Sequence, residues 1–184
     1  MTLEIRPAEL DDAVEVARIQ IVTWRAAYVG ILPDPVLAGL DDIRTAAFWG
    51  RLIDRPERHA GVLVAGDADL KPPHLEGFAS FNALRGEDAQ GWGEVSALYV
   101  EPPAQRRRLG GRLMLAACRC LEAAGLHGLR VWTLSDNAPG RQFYASRGGI
   151  EAATGTTRMG GVELPIVAYD WPDSRAILLP PDQA

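Results

Sequence analysis

Apolar positions along the chain change period several times, and each change marks an element. Leu3 and Ile5 alternate with polar neighbours ahead of Pro7, which predicts a short first strand stopped by proline. Asp11-Asp12 then precede Ala13, Val16, Ala17, Ile19, Ile21 and Trp24, a broad helical face that those acids are placed to cap. Tyr28 and Gly30 follow, and Leu32-Pro33-Asp34-Pro35 reads as a turn that starts a second helix near Val36. A third helix is expected from Asp41 to Ile53, with Phe48, Trp49, Leu52 and Ile53 as its apolar stripe.

After Pro56 the pattern becomes strand-like. Val62 to Ala65 predicts a strand ending in a Gly66-Asp67 turn, and Leu75 to Asn82 the next strand. Arg85 to Gly93 reads as a polar hairpin loop, Val95 to Val100 as a strand, Leu109 to Ala124 as a helix and Leu129 to Leu134 as a strand. A short helix from Pro139 to Arg147 has Asp136 or Asn137 as its cap and ends at Gly148-Gly149. Strands near 151–159 and 162–170 are joined by Gly160-Gly161, a good hairpin turn. The order predicts one α/β domain over residues 1–171, followed by a loosely held, proline-containing tail over 172–184.

Composition narrows the function classes. A chain of 184 residues with 47% apolar and 23% charged residues suits one globular domain with a proper core. A net charge of −5 argues against a nucleic-acid partner, since the one basic cluster, Arg106 to Arg108, is local. Cys118 and Cys120 lie two apart inside a helix and so do not share a face, and the three histidines are scattered without ligand spacing. The start MTLEIRPAELDD is acidic where a signal peptide is basic, and no apolar run reaches spanning length. The expectation is a cytoplasmic protein that uses neither membrane, structural disulfide nor metal.

The candidate chemistry sits at Gln105-Arg106-Arg107-Arg108-Leu109-Gly110-Gly111, where a strand passes through a cationic turn into a helix. Leu109, Leu113, Ala116, Ala117, Cys120, Leu121 and Ala124 recur at helical spacing and would face a sheet. The helix start then lies at a strand's C-terminal edge, with free backbone N–H groups, the positive end of the helix dipole and up to three arginines. Such a place can hold a pyrophosphate. The alternative for this turn alone is an ordinary helix start with solvated arginines.

The order of motifs resembles the GCN5-related N-acetyltransferase (GNAT) family. Its phosphate-binding signature, Gln/Arg-x-x-Gly-x-Gly/Ala, follows a strand of the type Leu98-Tyr99-Val100 and reads here Gln105-Arg106-Arg107-Arg108-Leu109-Gly110. Its later signature reads Asn137-Ala138-Pro139-Gly140-Arg141-Gln142-Phe143-Tyr144, ending at Gly148. The resemblance covers about 94–150. Three positions depart from it: Arg108 stands where the first glycine is usual, Gly140 where alanine is commoner and Gly149 where an aromatic often follows.

The resemblance implies a mixed, mostly antiparallel, twisted sheet of about six to seven strands with helices on both faces. It implies acetyl-CoA as co-substrate, its pyrophosphate held by the amides of Arg106, Arg107, Arg108, Leu109, Gly110 and Gly111. The backbone of Leu98, Tyr99 and Val100 would pair with the pantetheine arm, and Asn137 would contact the cofactor or the strand end. Tyr144 would be the general acid for the leaving thiolate. Glu94, eleven residues before Gln105, matches the catalytic glutamate of the histone-acetylating branch, with ordered water the alternative base. Trp24 and Tyr28 would cross the open side of the cleft as acceptor contacts, although an aromatic pair four apart is more often core packing. The acceptor would be a small-molecule or peptide amine. The late hairpin offers an edge for a homodimer, a covered edge in a monomer being equally consistent.

Two rivals stand beside a direct-attack N-acetyltransferase. A non-catalytic acyl-CoA-binding regulatory module would keep the fold, although the presence of both Glu94 and Tyr144 leans against it. A domain for another nucleotide would need the Gly-Lys-Ser/Thr of a P-loop or an early dinucleotide fingerprint, and the chain has neither. There is no Gly-x-Ser-x-Gly nucleophile motif.

Overall fold

Seven strands form one sheet in the order β1-β2-β3-β4-β5-β7-β6 in the computed structural model, which describes residues 3–67, 74–86 and 89–177. The strands are β1 Leu3–Pro7, β2 Gly61–Asp67, β3 Leu75–Ala83, β4 Trp92–Val100, β5 Gly128–Leu134, β6 Ile150–Met159 and β7 Val162–Trp171. The helices are α1 Ala13–Ala27, α2 Asp34–Ala38, α3 Asp42–Asp54, α4 Leu109–Ala123 and α5 Ala138–Ala145. The β4–β5 pair is parallel and the other pairs are antiparallel. A parallel neighbour needs a crossover, and α4 provides it.

Helices cover both faces. On one, Leu109, Leu113, Met114, Ala117 and Leu121 of α4 pack with Ala79, Val95, Leu129 and Val131 of the sheet, joined by Tyr144 of α5. Burying each of the larger aliphatic side chains contributes about 1.5–3 kcal/mol. On the other face Val16 and Ile19 of α1 and Trp49 of α3 pack on Val62, Val64 and Phe78. Trp49 and Phe78 meet edge-on with ring centroids 4.9 Å apart.

Local expectations change in five places. Asp12 occupies the N-cap position of α1, but its carboxylate makes no capping bond there. It accepts instead from the Arg6 guanidinium at 2.6 and 2.9 Å and from the Glu9 amide at 2.8 Å, stabilising the turn before the helix. The apolar stripe of α3 is narrower than its composition suggests: Trp49 is buried while Phe48 is 46% exposed, because α3 rests on α1 along one line. Gly66 and Asp67 continue β2 past a bulge instead of turning. β4 begins at Trp92, since Gly93 pairs with both Ala83 and Leu129. The expected tail is docked as far as Ile177: the Ser174 amide donates to the His127 carbonyl at 2.8 Å and its hydroxyl bonds Glu122 at 2.7 Å. The rest of that tail, 178–184, lies outside the described residues, as do 87 and 88 of the loop expected over 85–93. The homodimer edge expected from the late hairpin corresponds to β6, one of the two edge strands of the described sheet.

The feature that makes a site is a fork. β4 and β5 pair only over Trp92↔Gly128, Gly93↔Leu129 and Glu94↔Arg130, then separate. The closed end is held by contact: a Cβ on Gly128 would fall 2.4 Å from the Trp92 ring, so glycine is required there. Directly after the closed end β4 carries a bulge, the register passing from Phe81↔Val95 to Ser80↔Ala97. A bulge bends its strand and raises its twist, which turns β4 away from β5.

Candidate active site

The fork opens into a cleft of about 1110 Å³ floored by residues 95–100 of β4 and 131–134 of β5. β3 pairs with one edge of β4 through Ala79↔Leu98, Phe78↔Tyr99 and Gly77↔Val100. The other edge faces the cleft, so Leu98, Tyr99 and Val100 present a strand edge to a ligand. Gln105 lines the same wall, but its side chain donates to the Val100 carbonyl at 2.9 Å. It fastens the end of the strand.

The turn that follows is conformationally costly. Arg106 and Arg108 both adopt left-handed backbone, with φ of 59° and 64°. Arg108 is the N-cap of α4, the position where the resembled signature carries glycine. Its left-handed φ supplies the reason, because a side chain opposes this conformation by about 1–2 kcal/mol. Arg106 and Arg108 line the cleft, whereas Arg107 is directed to Glu76 at 2.8 Å. The basic triplet therefore brings two side chains to the cleft.

Inside α4 the Arg112 amide bonds the Arg108 carbonyl at 3.1 Å. Leu109, Gly110 and Gly111 precede that first intrahelical bond, so their amides form the open N-terminal turn. The dipole places roughly half a positive charge there. Leu109 itself is 2% exposed and anchors the turn in the core. Gly110 lines the cleft and Gly111 lies against the Arg147 guanidinium.

α5 forms the opposite wall. Asn137 is its N-cap: its Oδ1 accepts from the Gly140 amide at 3.1 Å, and its Nδ2 donates to Thr133 Oγ1 at 3.3 Å. It fixes the start of α5 to the end of β5. Tyr144 lines the cleft while its ring packs among Phe143, Tyr169 and Trp171, at 5.2, 5.9 and 6.3 Å between centroids. Burial, and secondarily Tyr99, push its phenol above the ordinary range, so it keeps its proton.

At the acceptor end the two aromatic candidates separate. Tyr28 lines the cleft. Trp24 stands edge-on to it at 5.5 Å and packs with Leu32, Leu37 and Leu134 as a supporting residue outside the cleft lining. Glu94 also lies outside the lining: it sits in the closed part of the fork and accepts from Asn82 Nδ2 at 3.2 Å. Its neighbour Val95 packs under α4, so Glu94 points to the opposite face, the one that carries α1.

Two polar residues at the cleft had no signal in sequence spacing. The Thr23 hydroxyl and the Arg147 Nε are buried, have no partner among the described residues and belong to cleft-lining side chains. Neither cysteine lines the cleft, and burial pushes the Cys118 thiol up to about 12, far from a nucleophilic thiolate. Among the described residues no group of three or more His, Cys, Asp or Glu could hold a metal ion, and no helix is long and apolar enough to cross a membrane.

The model of the acetyltransferase (GNAT) family matches residues 24–149. The uncharacterized N-acetyltransferase YuaI of Bacillus subtilis (strain 168) is 29% identical over 173 residues, 94% of this chain and 95% of its own. A probable N-acetyltransferase of Mycobacterium tuberculosis is 29% identical over 171 residues, 91% of this chain and 92% of its own. The solved PaiA N-acetyltransferase from Thermoplasma acidophilum, in complex with coenzyme A, superposes with a TM-score of 0.70 at 18% identity, covering 93% of this chain and all of that one. That likeness is one of fold.

Proposed function

Since the chain belongs to the acetyltransferase (GNAT) family, we propose that it moves an acetyl group from acetyl-CoA to a primary amine by direct attack. The observation that carries this reading is the fork between β4 and β5, with the open turn of α4 on one wall and Tyr144 on the other. The amides of residues 109–111, with Arg106 and Arg108 beside them, hold the pyrophosphate. The pantetheine arm adds to the free edge of Leu98–Val100 and carries the thioester toward Tyr144.

The amine enters past Thr23 and Tyr28 and must be neutral to attack, although an unperturbed alkyl ammonium has a pKa of about 10. A C–N bond forms, the C–S bond breaks, and the amine proton leaves through water in the cleft. Glu94 serves as the more distant proton acceptor, on the face of the sheet that carries α1. Tyr144 donates a hydrogen bond to the departing sulfur. A simple thiol titrates near 8.5 and a buried phenol above 10, so complete proton transfer from Tyr144 is uphill. Its contribution is stabilisation of negative charge as it develops. The donor is an intracellular thioester, and the proposed setting is the cytoplasm. Catalysis is assigned to a single domain that includes the docked segment through Ile177.

Calorimetry with acetyl-CoA, NAD and ATP tests the donor, and thiol release across a panel of amines tests the reaction. Micromolar binding of acetyl-CoA with amine-dependent thiol release is expected. Tighter binding of ATP or NAD, or no thiol release with any amine, would reject the proposal.

A further inference from the structure

Arg147, just beyond the end of α5, is 7% exposed yet has no carboxylate beside it among the described residues. Its guanidinium stacks on the Phe143 ring at 4.1 Å and reaches Ser146 Oγ at 3.4 Å, while its Nε has no acceptor among the described residues. An arginine remains charged when buried, because its pKa lies above 12. A buried cation without an anionic partner is destabilising, which makes this a place for an anion that arrives with a ligand.

Its position identifies that anion. A Cβ on Gly111 would fall 2.8 Å from Arg147 Nη2, so the guanidinium lies on the first turn of α4, in the room that this glycine leaves. The open amides of residues 109–111 belong to that same turn. Two independent anion-seeking groups therefore converge, one from each wall of the cleft. The backbone of Arg147 is held as well: its amide donates to the Tyr144 carbonyl at 3.1 Å and its carbonyl accepts from Trp171 Nε1 at 3.0 Å.

We propose that Arg147 clamps the diphosphate of the CoA donor against the first turn of α4 and, through the Tyr144–Arg147 turn, links donor binding to the placement of Tyr144. This rests on the acetyltransferase reading and adds a residue from outside the phosphate-binding signature. Arg147 is a donor-binding and positioning residue in this scheme.

The test compares wild type, Arg147→Met and Arg147→Lys in calorimetry with CoA and with 3′-dephospho-CoA, alongside the unfolding midpoint of each ligand-free protein. A hydrogen bond to a charged group corresponds to roughly a 10- to 150-fold change in affinity. Arg147→Met is expected to weaken both ligands by that factor, since both carry the diphosphate, and Arg147→Lys to recover part of the loss. The ligand-free midpoint of Arg147→Met should equal or exceed that of wild type, because an uncompensated charge has been removed. Unchanged CoA affinity overturns the clamp. Loss confined to CoA assigns the contact to the 3′-phosphate and overturns it too, and a lowered ligand-free midpoint marks a structural role and does the same. If wild type itself fails to bind CoA, the acetyltransferase reading has failed instead.

Discussion

Replacing Tyr144 by Phe removes one oxygen from the wall of the cleft and leaves the ring between Phe143, Tyr169 and Trp171. Ring packing is unchanged, and because the hydroxyl lies on the cleft side, stability should change by no more than about 0.5 kcal/mol. Catalysis should suffer far more. A hydrogen bond to a charged group contributes about 1.5–3 kcal/mol, or roughly 10- to 150-fold in rate. Full general-acid transfer would give about 10²- to 10⁴-fold. The buried phenol, held above its ordinary pKa, favours the smaller range, because complete transfer to a thiolate is uphill. The expected result is a 10- to 100-fold fall in kcat with CoA affinity within twofold of wild type. Thiol-release kinetics measure the first and calorimetry the second. The raised pKa also keeps the phenol protonated throughout the neutral range, so Tyr144 should add no basic limb to the pH–rate profile below about pH 10. A kcat within twofold of wild type, or CoA binding lost in step with kcat, would refute the assigned role.

Two further outcomes follow from the geometry. Arg108→Gly relieves a left-handed backbone with φ of 64° worth about 1–2 kcal/mol, offset by about 0.4–1 kcal/mol of added freedom in the unfolded chain. The melting temperature should rise by up to a few degrees while CoA binding weakens a few-fold, and a fall in melting temperature would contradict the strain argument. Asp12→Asn should cost about 1–2 kcal/mol in urea unfolding at pH 7. Desolvation opposes ionisation of Asp12, but the Arg6 and Glu9 hydrogen bonds together outweigh it and lower its pKa. That stability is present above the unfolded carboxyl value of about 3.9 and disappears as pH falls through the lower folded value, so wild type and variant should converge in strong acid. A gap that persists there would point to packing instead of charge.

Most of the architecture was readable because its signals are local. Helix α4 announces itself through apolar positions at helical spacing, although Cys120 of the expected face is exposed and Met114 and Cys118 are buried instead, and α5 through Asn137 at its cap and glycines beyond its end. Such patterns depend on neighbours a few residues apart, where side-chain direction follows from the backbone period. The basic turn and its helix start were located the same way, and the departure at Arg108 coincided with a left-handed residue.

Tertiary structure decided where the side chains went. In sequence Arg106, Arg107 and Arg108 are equivalent, yet Glu76, thirty-one residues earlier, draws Arg107 out of the cleft. Trp24 and Tyr28 form one periodic pair, yet the buried Tyr28 lines the cleft while the half-buried Trp24 packs behind it against Leu32, Leu37 and Leu134. The pairing that ends after Glu94↔Arg130 joins residues on either side of α4 and depends on a bulge set by β3. Arg147 occupies a place where nothing in Ala145-Ser146-Arg147-Gly148 marks it as special. Its burial over Gly111 exists only once α5 packs on α4. Local periodicity determines elements, whereas the partner of a charge is settled by long-range contact, and for Arg147 the partner we propose is the diphosphate of the ligand.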